Sequence, residues 1–296
     1  MASPFATRGV CRICGCTFSN PCYHPVHGYC WWADDARTIC SHCADPEIAG
    51  DAKTVHCVNS KPRTVAERNV CTVNFNTPEL TRAAIRSLWK HTPGCRVTVF
   101  DNSDRRPFGS MDGVRVIDNT RGQVIDFDAL LQQFPAKADS GNNWGSAKHC
   151  RTIQELFSFF PDGFVLMDSD ILIKQDISVF FDPDRIYVGE ENITPYRHRH
   201  KIPRLLPFLC WINVEMCRQR GVNYFDPDRC WMLQPAGRIQ SWYDTGASFL
   251  EDCRISGAPA KSLRLDDYIL HLKGASWTGR QRSAGEWLEQ HRDLYE

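Results

Sequence analysis

Seven cysteines crowd the start of the chain, Cys11, Cys14, Cys16, Cys22, Cys30, Cys40 and Cys43, in a stretch without any long apolar segment. Residues 1–60 therefore have too little apolar sequence to bury a conventional core, and something besides hydrophobic burial must hold them together. The pairs Cys11-x-x-Cys14 and Cys40-x-x-Cys43 have the spacing of metal-binding knuckles, since two thiolates so placed reach one tetrahedral ion from a single tight turn. Binding that ion supplies the folding free energy that the small core lacks. The spacing predicts a structural Zn2+ on Cys11, Cys14, Cys40 and Cys43. Cys16, Cys22 and Cys30 exceed what one four-ligand site needs, so a second zinc using His24, His27 or His42, or an iron–sulfur cluster, is the alternative.

The opening MASPFATRGVC has no apolar signal-peptide core, which disfavours a disulfide framework and leads to the expectation of a cytoplasmic protein. No apolar run approaches the ~20 residues that span a bilayer, so no membrane span is expected. The other eight of the 15 cysteines are scattered among apolar neighbours and read as core thiols. A formal net charge of +0 supplies no global attraction to nucleic acid or acidic membranes, so any such contact needs a local patch.

After the Cys-rich module, residues 61–296 read as a second domain in which strands and helices alternate. Val70-Cys-Thr-Val-Asn-Phe75, Arg96-Val-Thr-Val-Phe100 and Val114-Arg-Val-Ile117 have the composition of strands. Thr77-Pro78 gives a helix cap followed by proline at the first helical position, and Leu80, Ala84 and Leu88 continue at helical spacing. A second helix is expected over 146–160, then a strand at Phe164-Val-Leu-Met167. This β-α-β series is an α/β fold, and open α/β sheets bind ligands at the carboxyl ends of their strands.

The fourth strand delivers Asp168 and Asp170. Ionised carboxylates are costly to bury unless they are paired or hold a metal. The spacing alone says little, because Asp126-Phe-Asp128, Asp182-Pro-Asp184 and Asp226-Pro-Asp228 repeat it, the last two around prolines that mark turns. Only the pair at 168 and 170 directly follows a compact apolar strand and precedes another apolar run.

Taken together, NFNTPEL (74–80), FDNSD (100–104), NWGSAKHC (143–150), MDSDILIKQDIS (167–178) and HLKGASW (271–277) resemble a family 2-like glycosyltransferase of the GT-A fold, over roughly residues 68 to 278. The resemblance implies a Rossmann-like mixed sheet, a nucleotide-diphosphate sugar donor and a Mn2+ or Mg2+ ion on the donor's diphosphate. It implies that Asp170 binds the cation, that Asp168 contacts the metal shell or the ribose, and that His271 returns a third ligand; imidazole suits Mn2+ better than Mg2+. Thr77 and Asp101 match nucleotide-contacting positions, and Lys273 is a candidate for the diphosphate. For a catalytic base the candidates are Asp244 and Asp266, with Glu251, Asp252 and Asp267 competing; a base is needed only if the transfer inverts configuration. The segment CRICGC…CWW…ICSHC is similar to Cys-rich modules that recur in phage-encoded proteins, which fixes no function.

Three readings follow. The first is a metal-dependent glycosyltransferase with a saccharide or other hydroxyl acceptor. A second is a phage-type DNA glycosyltransferase acting on a hydroxymethylated pyrimidine, for which Arg197, Arg199, Lys201 and Arg204 would meet phosphates. The third is a non-catalytic, zinc-dependent nucleic-acid-binding adaptor, against which intact Asp168, Asp170 and His271 argue.

Overall fold

The computed structural model describes residues 11, 23–24, 28–29, 32–34, 38–45, 67–132, 144–192, 202–229, 243–272 and 281–296. The chain divides into two compact units, residues 1–66 with 216–222, and residues 67–215 with 223–296.

In the first unit, β1 (Tyr23–His24) pairs with β2 (Gly28–Tyr29) in an antiparallel two-stranded ladder. A short helix, α1 (Ser41–Ala44), follows an isolated antiparallel bridge between Trp32 and Cys40.

The second unit is built on a mixed sheet. Its strands in chain order are β3 (Asn69–Asn74), β4 (Arg96–Asp101), β5 (Val114–Asp118), β6 (Phe164–Met167), β7 (Ile171–Ile173), β8 (Tyr187–Gly189), β9 (Glu191–Asn192), β10 (Arg204–Leu205), β11 (Leu209–Ile212), β12 (Lys261–Ser262) and β13 (Ile269–His271). Seven of these, among the described residues, form one sheet in the order β12-β8-β11-β6-β3-β4-β5. The pairings β6–β3, β3–β4 and β4–β5 are parallel, and β11 runs against both β6 and β8. The α/β class is the one expected from the sequence.

The central strands are buried on both faces, which explains why they read as continuous apolar runs rather than alternating ones. All four residues of β6 are buried, as are all four of β11, Leu-Cys-Trp-Ile. Each fully buried Phe, Leu or Ile of this layer contributes roughly 1.5–3 kcal/mol by leaving water.

Helix α2 (Pro78–His91) buries Leu80, Ala84, Ile85 and Leu88. Its polar side chains also serve the core: the backbone N–H of Ile173 donates to Ser87 Oγ at 2.9 Å, and that of Ile177 donates to Thr92 Oγ1 at 3.0 Å. Further helices among the described residues are α3 (Phe127–Gln132), α4 (Trp144–Phe159), α5 (Val214–Arg220, from residue 216 on assigned to the first unit), α6 (Ala247–Ser256) and α7 (Gln281–Gln290).

Register sets the working edge. Asn74, Asp101 and Asp118 lie side by side at the carboxyl ends of β3, β4 and β5. Asp168 emerges from β6 at the same edge, and because β11 is reversed, its start rather than its end arrives there, with Leu209 opposite Met167.

Candidate active site

Asp168 and Asp170 stand just beyond β6, and a separate ladder brings the third group. β13 pairs antiparallel with β7, placing His271 opposite Ile171, and Leu272 N–H donates to the carbonyl of Asp170 at 2.9 Å. Asp168, Asp170 and His271 each offer a ligand atom, all within 4.8 Å of one another. His271 Nε2 lies 3.3 Å from Asp170 Oδ1, and Asp170 is only 5% exposed. Burial, and then the like charge of Asp170, push the Asp168 carboxyl well above the usual carboxylate range, against the pull of His271. Two crowded carboxylates and an imidazole form a donor set of hard oxygens with one nitrogen, which fits a divalent cation such as Mn2+.

The other Asp-x-Asp segments are spent on local structure. Asp182 Oδ1 accepts the N–H of Asp184 at 3.0 Å, and Asp226 Oδ1 accepts that of Asp228 at 2.8 Å. Asp126 Oδ1 accepts Ala129 N–H at 2.8 Å, at the start of α3. These are the side-chain-to-backbone turns and caps that aspartate favours.

Thr77 is the N-cap of α2, yet its side chain makes no capping bond. Its Oγ1 instead lies 3.3 Å from the hydroxyl of Ser169, between the two motif acids. Asp101 is 2% exposed and fully engaged. Its Oδ1 accepts from Asn74 Nδ2 at 2.9 Å and Ser103 Oγ at 2.6 Å, and its Oδ2 accepts from Phe108 N–H at 2.6 Å. Asn76, at φ 59° in the left-handed region that asparagine tolerates, holds the same loop by accepting the N–H groups of Arg105 and Arg106, each at 2.9 Å. Asp101 is thus a brace for residues 102–108.

Asp244 is held by Arg204 Nη1 at 2.7 Å, Ser146 Oγ at 3.0 Å and the N–H of Thr245 at 2.8 Å, among its partners. Arg204 also lies 6.0 Å from the ring of Phe208, whose ring centroid is 4.0 Å from that of His271. Phe208 completes the link, since its carbonyl accepts Asp168 N–H at 2.8 Å. Asp266, by contrast, is exposed in a 3-10 turn, with Arg264 as its ion partner at 3.9 Å, and it takes no part in the Asp168–Asp170–His271 group. Lys273 and Cys14 lie outside the described residues, as do Arg197, Arg199 and Lys201.

His149, on α4, was not singled out by sequence. Burial holds its imidazole down at about 4, although the charges of Asp244 and Asp170 pull it upward. It is thus neutral at pH 7, within electrostatic reach of two acids that come from distant segments. The only signal in the sequence was its place within NWGSAKHC, on the helix that precedes the acid motif.

No protein-family model and no curated protein sequence matches the chain. Solved structures to which it is similar are glycosyltransferases. The WbbM bifunctional glycosyltransferase matches at 11% identity and TM-score 0.39, over 70% of this chain but 40% of that one. The galactosyltransferase LgtC, solved with donor and acceptor sugar analogues, matches at 10% identity and TM-score 0.40, over 67% of this chain and 73% of that one. The mannosyltransferase PcManGT from Pyrobaculum calidifontis, in complex with GDP-Man and Mn2+, matches at 12% identity and TM-score 0.35, over 69% of this chain and 56% of that one.

Proposed function

We propose that the chain is a glycosyltransferase that moves a sugar from a nucleotide-diphosphate sugar to a hydroxyl acceptor, with Asp168, Asp170 and His271 holding a divalent cation. The observation that carries the reading is the convergence of these three groups within 4.8 Å at the carboxyl edge of the sheet, while the Asp-x-Asp pairs elsewhere are used up in turns. Transfer leaves negative charge on the departing nucleoside diphosphate, which a divalent cation held by Asp168, Asp170 and His271 would neutralise as a Lewis acid. The chain's own residues supply the positioning. Asp168 and Asp170 present oxygens to the shared group, Asp168 Oδ1 also accepting the Ser169 N–H at 3.2 Å, and the Thr77–Ser169 contact ties their loop to the start of α2. Asp101 and Asn76 shape the 102–108 loop beside the strand ends, where a nucleotide would lie. Asp244, fixed by Arg204 and Ser146, serves as the carboxylate for a substrate hydroxyl, and as the base if the transfer inverts.

The acceptor is read as a saccharide or other small hydroxyl compound. Arg204, the described member of the basic 196–204 run, is turned onto Asp244, not toward solvent, with a side chain 12% exposed. That disfavours it as a phosphate contact for DNA.

The test is a panel of nucleotide sugars assayed for hydrolysis and transfer with and without Mn2+. One donor should be turned over in a metal-dependent way. Asp170→Ala should lose at least about 100-fold in kcat, in the range of losing a metal ligand or its orienting partner, while Asp182→Ala stays within about twofold, as expected of a surface turn. Equal losses in the two variants would overturn the assignment.

A further inference from the structure

The sugar-transfer reading leaves the N-terminal cysteines without a role, and their arrangement is independent of it. Cys11 and Cys40 are each 1% exposed, and Cys43 is half-buried. The three Sγ atoms lie within 4.8 Å of one another. Sulfurs around one tetrahedral zinc, at about 2.3 Å from the ion, sit roughly 3.8 Å apart, so the described positions need only a small contraction to meet an ion.

The local backbone is shaped to present them. Cys40 opens α1 as its N-cap in an extended conformation, and its side chain makes no capping bond. The N–H groups of Cys43 and Ala44 both donate to the Cys40 carbonyl, at 3.1 and 3.0 Å, so the turn carries Cys40 and Cys43 side by side. Upstream, Asp34 accepts the N–H groups of Thr38 and Ile39 at 2.8 and 2.9 Å and the Thr38 hydroxyl at 2.6 Å. This brace, with the Trp32–Cys40 bridge, steadies the approach to the turn. Cys40 N–H donates to Cys11 Sγ at 3.4 Å across 29 residues.

A disulfide would use two of these sulfurs and strand the third, whereas one metal ion uses all three. Soft thiolates select zinc over the hard cation suited to the Asp–Asp–His group. We propose that Cys11, Cys40 and Cys43 are ligands of one structural zinc ion. Two of the three sulfurs are out of solvent, and the ion's role is to tie residue 11 to the 40–44 turn.

The test uses the full chain purified without chelator. Elemental analysis should find at least one zinc per chain, and titration of the intact protein with a mercurial that caps thiols should release it to a colorimetric zinc indicator. Cys40→Ser and Cys43→Ser, made separately, should each lose the bound zinc, and Cys253→Ser, a buried thiol of the other unit, should keep it. Cobalt exchanged into the wild type should show thiolate charge-transfer absorption. Absence of zinc from the wild type, its replacement by iron with sulfide, zinc that survives Cys40→Ser, or no release on thiol capping would each overturn the proposal. Since the capping titration is done on the wild-type chain, misfolding of a variant does not blunt the test. Loss of sugar transfer plays no part in it, so the two readings fail separately.

Discussion

Asp101 and Asp170 are both acids at the carboxyl edge of one sheet, each nearly sealed from water, and their partners separate a brace from the proposed metal ligand. Asp101 satisfies both oxygens within the protein, with Asn74, Ser103 and Phe108 as partners. Replacing it with asparagine turns an accepting oxygen into an amide donor facing the Phe108 N–H, so Asp101→Asn should cost about 1–3 kcal/mol of stability in denaturant titration. Asp170 has His271 as its ion partner and Asp168 as a like-charged neighbour. Removing one of two crowded charges relieves repulsion, so Asp170→Asn should leave the metal-free protein as stable as wild type or more so, while abolishing the thermal stabilisation that Mn2+ confers. A loss of metal-free stability as large as that of Asp101→Asn would recast Asp170 as a structural residue.

At the scale of elements, a tight approach holds the Asp244 segment in place. Gly246 caps α6 at φ 84°, its carbonyl accepts Leu205 N–H at 3.2 Å, and a Cβ there would come within 2.2 Å of the Leu205 carbonyl oxygen. Gly246→Ala therefore combines a left-handed backbone with a clash against backbone. It should lower stability by about 2–4 kcal/mol and, by shifting Asp244 against Arg204, reduce turnover in the fraction that remains folded. The parallel strands β3, β4 and β6 were legible because each is a short apolar run bounded by polar residues, and α2 because its apolar residues recur at helical spacing behind Thr77-Pro78. The reversal of β11 was not, since a strand buried on both faces has the same apolar run whichever way it points. The environment of His149 was not legible either, because Asp170 and Asp244 reach it only through tertiary packing. Asp101 was readable as an acid at a strand end, but its commitment to the 102–108 loop depends on where Phe108 folds back.

Across the whole molecule, formal charges balance to +0, and several acids draw down single arginines. Arg229 pairs with Asp226 at 2.6 Å, Glu251 at 2.9 Å and Asp252 at 2.7 Å, joining the segment before residue 230 to α6. Burial pushes the Asp226 carboxyl up, but hydrogen bonds from Arg229 and the N–H of Asp228 outweigh it, and the group titrates below its ordinary range. A depressed carboxylate contributes stability that is fully present above the unfolded value near 4 and is lost as pH falls through the lower folded value. Arg229→Met should thus cost about 1–3 kcal/mol at pH 7, a partly exposed pair being worth less than a sealed one. The gap from wild type should narrow below about pH 4 in denaturant titrations. A gap that stays constant from pH 7 to 3 would mean that Arg229 acts through packing alone.

The ladder between β7 and β13 also gives the site a history. Asp170 and His271 are 101 residues apart in the chain, and they meet only when the three-residue strand β13 pairs with β7 far behind it. At about 5–20 residues per second of synthesis, the two acids wait roughly 5–20 seconds for their imidazole. During that interval the growing chain has its sheet edge and its acids but not the third ligand. On the proposed reading, the cation site is complete only after β3, β4, β5, β6, β8, β11 and β12 have been made.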